Sequence, residues 1–273
     1  MKNRGVRLGR RKTDYVAGEF TFITFEERNP SGDWRPFLPP GEVQFSSLVD
    51  YMDCVTRSIQ NAIEIQEKFL TGEEAIDYSD RWTAKKSGTT HQGNYLYIVA
   101  DSVRHDGLIP ESDYPDLLSG TWDEQYADIS AATAAVLDAK GQAWKEKWDF
   151  KYEFVPVTKE SMMQHIKQAP LQVVIPGHAV VDFLCEADVL NYFDSYIPYQ
   201  KKVAYPNILD VLKPLLTLKT MTKRFIINDH GKMGVMTLEG FTGTVQFCDK
   251  LADWATFKKI LKVDDTTPII NLP

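Results

Sequence analysis

The sequence predicts an α+β chain with a helical lobe, a β-sheet lobe and a small β-rich module at its C-terminal end. Three observations predict it. Helical periodicity dominates the first half, strand-like runs dominate from about residue 150 onward, and the pattern changes again after about residue 205. A chain of 273 residues is long enough to bury a large core and carry an extra module.

The first element is "MKNRGVRLGRRK", which holds six Lys or Arg and no acid, although the whole chain carries a net charge of -7. No apolar segment follows it, so it does not read as a secretory signal peptide; it reads as a flexible terminus, with weak contact to nucleic acid or to a partner's acidic surface as its alternative role. Residues 13 to 45, with "DWRPFLPPGEVQ", suit an extended segment lying over a surface. Residues 1–41 together form this basic arm and extended segment.

The strongest helix runs from about Tyr51 to Leu70, with Val55, Ile59, Ala62, Ile63, Phe69 and Leu70 at helical spacing and Asp50 or Asp53 placed to cap it. A polar loop, "SGTTHQGN", leads into a second helix, "NYLYIVADSVRHDG", which Gly107 ends. A turn-rich "LIPESDYP" and an Ala-rich helix at about 129–139 follow. Strands are then expected at "KYEFVPV", "LQVVI", "HAVVDFL" and "LNYFDSY", with a short helix starting at Thr158 after the first. "NILDVLKPLLTLKTM" reads as a connecting helix over 206–221, broken near Pro214. Residues 222–273 read as a small β-meander closed by a terminal helix, with a hairpin at "NDHGK", and such an appended module is expected to dock a partner.

Composition and motifs narrow the chemistry. No apolar stretch approaches the length of a membrane span, so no membrane partner is expected. There is no zinc spacing, HExxH helix, P-loop or dinucleotide glycine fingerprint, so neither a metal nor an organic cofactor is expected. Cys54, Cys185 and Cys248 are scattered and odd in number, which excludes a full disulfide framework. What remains is a thiolate nucleophile with a histidine base and an orienting group. Cys54 lies in the first turn of the strongest helix, where the dipole is expected to lower a thiol's pKa; Cys185 and Cys248 lie in apolar runs and read as buried hydrophobes. His178 opens one strand of a hairpin and Asp194 closes the next, so the two are expected to touch.

Taken in order, Cys54 on its helix, "GHAVV", the hairpin partner in "FDSYIPY", "GNYLYIVADSVRHDGLIPESDYP" and "APLQVVI" resemble a papain-like cysteine peptidase over residues 42–205. Within that superfamily, "SDRWTAKKSGTTHQGN" and "DSYIPY" resemble a divergent branch encoded by bacteriophages. The chain departs from the family at "YMDCVTRS", which stands where "CGSCW" is usual, and at Asp194–Ser195–Tyr196, which stands where an asparagine precedes Ser-Trp-Gly. The resemblance implies a two-lobe fold and peptide or protein substrates. It implies attack by Cys54, proton transfer by His178 and orientation of the imidazole by Asp194, whose charge is expected to favour the imidazolium. It also implies Gln44 as an oxyanion donor beside the Cys54 N–H and Tyr196 as a cover over the His–Asp bond.

Two other readings stay open. One is an inactive papain-like structural or binding component of a phage particle. The other is a Cys-His-Asp enzyme acting on another acyl bond, as transglutaminase-like or cell-wall peptidase-like proteins do. Either way the expected location is inside the host cell or on the virion. His91 reads as a solvated loop residue and His105 as a partner of helix-terminal carbonyls, while His165 and His230 carry no functional expectation.

Overall fold

In a computed structural model the described residues are 5–11, 14, 16, 27–219, 222–229, 232–239, 242–248, 254–260 and 269–272. Expectations that fall on residues 17–26 and on residues 230–231 of the "NDHGK" turn lie outside them. The chain divides into two compact units, Met1–Leu218 and Lys219–Pro273.

The first unit contains, in chain order, β1 (Val6–Arg7), α1 (Cys54–Thr71), α2 (Asp80–Lys86), β2 (Asn94–Tyr95), α3 (Leu96–Asp106), α4 (Trp122–Gln125), α5 (Ala131–Lys147), β3 (Trp148–Phe154), α6 (Lys159–His165), β4 (Leu171–Ile175), β5 (His178–Cys185), β6 (Val189–Phe193), β7 (Gln200–Ala204) and β8 (Asp210–Leu218). Six strands form one antiparallel sheet in the order β3-β8-β4-β5-β6-β7. The helices precede most of the strands, as expected, and α1 packs against β4, β5 and β8.

Apolar side chains of α1 enter two cores. Val55, Ile59 and Ile63 join Leu96, Val99, Trp144, Trp148 and Leu216, while Ala62 and Ile65 join Trp34, Val173, Val181 and Phe183. A helix held between two cores also buries its polar residues, which must then find partners. Gln60 accordingly donates to Ser79 O at 3.1 Å, and Gln66 donates to Pro214 O at 3.2 Å. Gly72, in the left-handed region at φ 71°, ends the helix.

Several expectations are corrected. Among the described residues of 206–221 there is no connecting helix; Asp210–Leu218 is strand β8, between β3 and β4 in the sheet. Its apolar spacing imitates a helix because Val211, Leu212, Leu215 and Leu216 are buried on both faces of a covered sheet. Pro214 is tolerated because its backbone faces away from β3: its carbonyl accepts from Gln66, which also accepts from Leu216 N–H at 3.0 Å. The Ala-rich helix, α5, runs past its expected end to Lys147.

The described part of the basic arm is docked rather than flexible. Val6–Arg7 pairs in parallel with Asn94–Tyr95, Arg10 binds Asp210, and Arg11 bonds Asp14 and lies 2.6 Å from Asp101. A run of like charge becomes ordered here because each guanidinium meets an acid of the body or an aromatic ring, as Arg7 does 4.5 Å from the Tyr95 ring centroid.

In the second unit, β9 (Thr222–Asp229), β10 (Lys232–Glu239) and β11 (Thr242–Phe247) form an antiparallel meander. Helix α7 (Trp254–Ile260) is not the last element: β12 (Ile269–Leu272) follows and pairs in parallel with β9, giving the order β11-β10-β9-β12. The alternating signal of a strand this short is too weak to read from sequence.

Candidate active site

Cys54 is the first residue of α1, at the point where the chain turns through Met52 (φ 60°) and Asp53 into the helix. Thr56 and Arg57 N–H bond the carbonyl of Asp53, and the N–H groups of the residues before them have no acceptor within the helix. The expected capping carboxylate of Asp53 is diverted to Arg57, whose Nε lies 3.1 Å away. Arg57 is buried and also meets Asp80 at 2.8 Å, Glu42 at 3.2 Å and Asp116. One cation therefore serves four carboxylates one turn from the thiol.

His178 opens β5 opposite Ile175, across a two-residue turn in which Gly177 takes φ 74°. Asp194 follows directly after β6, which pairs with β5 through Val181 and Phe193. The hairpin joins the two side chains as expected: His178 Nε2 lies 2.6 Å from Asp194 Oδ1. That contact places a proton on Nε2, and Nδ1 has no hydrogen-bond partner. The residue after His178 meets the cysteine, for Ala179 N–H points to Cys54 Sγ at 3.4 Å. Asp194 thus meets the His178 ring, and Cys54 meets the backbone of the residue after it, while no hydrogen bond joins the Cys54 thiol to the imidazole.

Tyr196 packs its ring edge-on to His178, with centroids 5.4 Å apart, and stacks on Phe45; its hydroxyl donates to Asp50. Its ring therefore lies against the imidazole. Gln44 is fully buried and ties the strand-like approach to α1 to the residue after Asp194. Its Oε1 accepts from Ser195 Oγ at 2.7 Å, and its Nε2 donates to Asp50 Oδ1 at 2.9 Å.

Sequence reasoning missed Lys201. Its Nζ lies 2.7 Å from Asp194 Oδ2 and 2.8 Å from Tyr196 O. The only signal that could have found it is register: β7 returns beside β6 with Lys201 opposite Tyr192, two residues before Asp194. Burial pushes the Asp194 carboxyl up, but bonds and charges from His178 and Lys201 outweigh it and hold the group below the usual carboxylate range.

The lowered thiol pKa expected from the helix dipole is not what the structure shows. Burial pushes the Cys54 thiol well above its ordinary value, the Ala179 N–H offsets part of this, and Asp53, Asp50 and Asp194 add to the rise. The dipole of one helix end is worth less than the desolvation of a thiolate with no exposed surface. The amino-terminal strand packs beside the turn that carries Cys54. Gly5 presses its backbone against Met52, Asn94 N–H donates to Gly5 O at 2.9 Å, and Val6 shares a core with Cys54 and Ala179.

The remaining sequence candidates are peripheral. His91 is exposed against the Trp122 ring, and His105 Nδ1 lies 2.8 Å from Asp101 O near the end of α3. Cys185 meets Asp182 Oδ2 at 3.0 Å, and burial raises its thiol above the ordinary value. Cys248 is buried. Among the described residues, no group of three or more His, Cys, Asp or Glu is arranged to hold a metal ion, and no helix is long and apolar enough to cross a membrane.

No family model matches the chain, and no curated protein sequence matches it. Solved structures do. The chain is similar to xylellain, a cysteine protease from Xylella fastidiosa, at 12% identity over 78% of this chain and 95% of that one, with a TM-score of 0.56. It is also similar to digestive procathepsin L 3 of Tenebrio molitor larval midgut, at 14% identity over 78% of this chain and 75% of that one, with a TM-score of 0.51. At these identities the likeness is one of fold, and the fold is that of the papain-like cysteine proteases.

Proposed function

From a papain-like fold that gathers a cysteine, a histidine and an aspartate, we propose that the protein is a cysteine peptidase acting through Cys54, His178 and Asp194. The observation that carries the reading is His178 itself: Nε2 is held by Asp194 while Nδ1 has no partner, in a ring whose neighbour Ala179 bonds Cys54 Sγ. In this reading Nδ1 takes the thiol proton as Sγ attacks the peptide carbonyl carbon. The imidazolium then gives that proton to the leaving amine as the C–N bond breaks, and His178 next takes a proton from the water that cleaves the thioester. The oxyanion falls to the Cys54 backbone N–H and to Gln44, whose amide must share its protons with Asp50. Tyr196 keeps water from the His178–Asp194 bond.

The substrate is a peptide or protein segment. The resemblance of "SDRWTAKKSGTTHQGN" and "DSYIPY" supports a phage-encoded enzyme, working inside the host cell or on the virion, with the second unit as a docking element. A second reading, the inactive particle component, has one observation in its favour: the thiol is fully covered and its pKa is raised.

The deciding experiment is the pH dependence of alkylation at each cysteine, followed by mass spectrometry, in the wild type and in His178→Ala. The peptidase reading expects reaction at Cys54 near pH 6 that is faster than at an ordinary thiol and is slowed by His178→Ala. Reaction at Cys54 that is no faster than at an ordinary thiol and indifferent to His178 selects the inactive component.

A further inference from the structure

We propose that Lys201 is a positioning residue of this site: its ammonium neutralises the Asp194 carboxylate, so that the pair offers His178 an uncharged acceptor equivalent to an asparagine amide. The inference deepens the peptidase reading and rests on it for its catalytic meaning.

The geometry divides the two carboxylate oxygens between two side-chain donors, the His178 ring and the Lys201 ammonium. Oδ1 accepts from His178 Nε2 at 2.6 Å and from Tyr196 N–H at 3.2 Å, while Oδ2 accepts from Lys201 Nζ at 2.7 Å. Lys201 is pinned by its second bond, to Tyr196 O at 2.8 Å, so the ammonium does not swing with a free side chain. Asp194 is 2% exposed, and charges so placed are screened far less than on a surface. The other charged groups near the site are engaged elsewhere. Asp50 accepts from Gln44, Met52 N–H and the Tyr196 hydroxyl, and Asp53 pairs with Arg57. Asp50, Asp53 and Asp194 all act on Cys54, and the side chains of His178 and Lys201 are bonded to the Asp194 carboxylate.

The departure from asparagine at this position is therefore compensated. Aspartate with lysine carries no net charge, as an amide carries none, and the same oxygen still accepts from His178 Nε2. An unneutralised aspartate would bind the imidazolium more tightly and make it a weaker proton donor to the leaving amine.

The charge count can be tested on His178 directly. Net charge on the orienting pair is zero in the wild type, negative in Lys201→Met, positive in Asp194→Asn, and zero again in the double variant. We would follow the His178 ring through its titration by NMR in the full chain, assigning its signal by its loss in His178→Ala. Lys201→Met should move the midpoint up by about one pH unit, Asp194→Asn should move it down, and the double variant should return it close to the wild type. Lys201→Arg, which keeps the charge, should follow the wild type. Midpoints that coincide in all variants, or an arginine variant that follows the methionine one, overturn the proposal. Should Lys201→Met fail to fold, Lys201→Gln, which keeps a donor for Tyr196 O, must show the same upward shift. Cysteine alkylation in His178→Ala reads the peptidase reading separately. Shifted midpoints without an effect of His178 on Cys54 would leave the charge pairing standing and remove its catalytic setting.

Discussion

Gly5 is the residue through which the amino-terminal strand meets the turn that carries Cys54. Its φ of 112° is one that a side chain rarely adopts, and a Cβ there would lie 2.1 Å from Met52 O. Facing it, a Cβ on Gly93 would lie 1.8 Å from Gly5 O, so the two glycines let three backbone segments close over the start of α1. Gly5→Val should therefore lift β1 from Met52 and raise the alkylation rate of Cys54 several-fold while leaving the helical circular dichroism unchanged. An unchanged rate would mean that β1 is not what covers the thiol. At this scale the sequence was informative about residue types and silent about contacts. Cys54, His178, Asp194 and Tyr196 could be read from helical spacing, a hairpin and a resemblance, whereas Lys201 lies beyond a turn whose path no local pattern specifies.

Among the elements, β8 differs most from its sequence pattern. Pro214 and the apolar residues around it imitate a broken helix, yet the strand is kept by one side chain from a distant element. Gln66, fully buried in α1, accepts from Leu216 N–H and donates to Pro214 O, replacing the β4 partner that the edge of β8 lacks beyond Leu212. Gln66→Leu would leave a buried donor and a buried acceptor unsatisfied, at a cost of about 2–4 kcal/mol. The measurement is the denaturant midpoint at unchanged slope, and a loss below about 1 kcal/mol would mean that water takes the place of the amide. The helices α1 and α3 and strands β3 to β6 were legible because their hydrophobic periods are long and agree with the glycines and turns that end them. β8 and β12 were not, since burial on two faces, or a length of four residues, removes the period that separates strand from helix.

For the whole molecule, the distinctive property is the number of carboxyl groups enclosed in the first unit. Burial pushes Glu42 up to about 7, Asp53 to about 6, Glu111 to about 8 and Asp182 to about 7; the Arg57 charge opposes the rise at Glu42 and Asp53 and, after a bond from Asp116 N–H, at Glu111. Each such group binds its proton more tightly folded than unfolded, so stability falls as pH rises from the unfolded value to the folded one. His165 acts in the opposite sense: burial, followed by the charge of Lys213, lowers it to about 4, so its cost appears only as pH falls below about 6.5. Asp194, held low, loses its contribution only in acid. Between about pH 6.5 and 8 the carboxyls act without His165, and the thermal midpoint should decline steadily across that window. A midpoint that rises there would show that these carboxyls are ionised in the folded protein well below neutrality.

The sequence by itself determined the order of helices before strands, the helix on which Cys54 sits and the hairpin that joins His178 to Asp194. Each of these depends on residues close together in the chain, where periodicity, caps and turns operate. Only the tertiary structure decided that the thiol is covered, that the basic arm is docked, that Pro214 lies in a strand and that Lys201 meets Asp194. Those outcomes follow from burial and from charges brought together across long separations, and neither leaves a local trace in the order of residues.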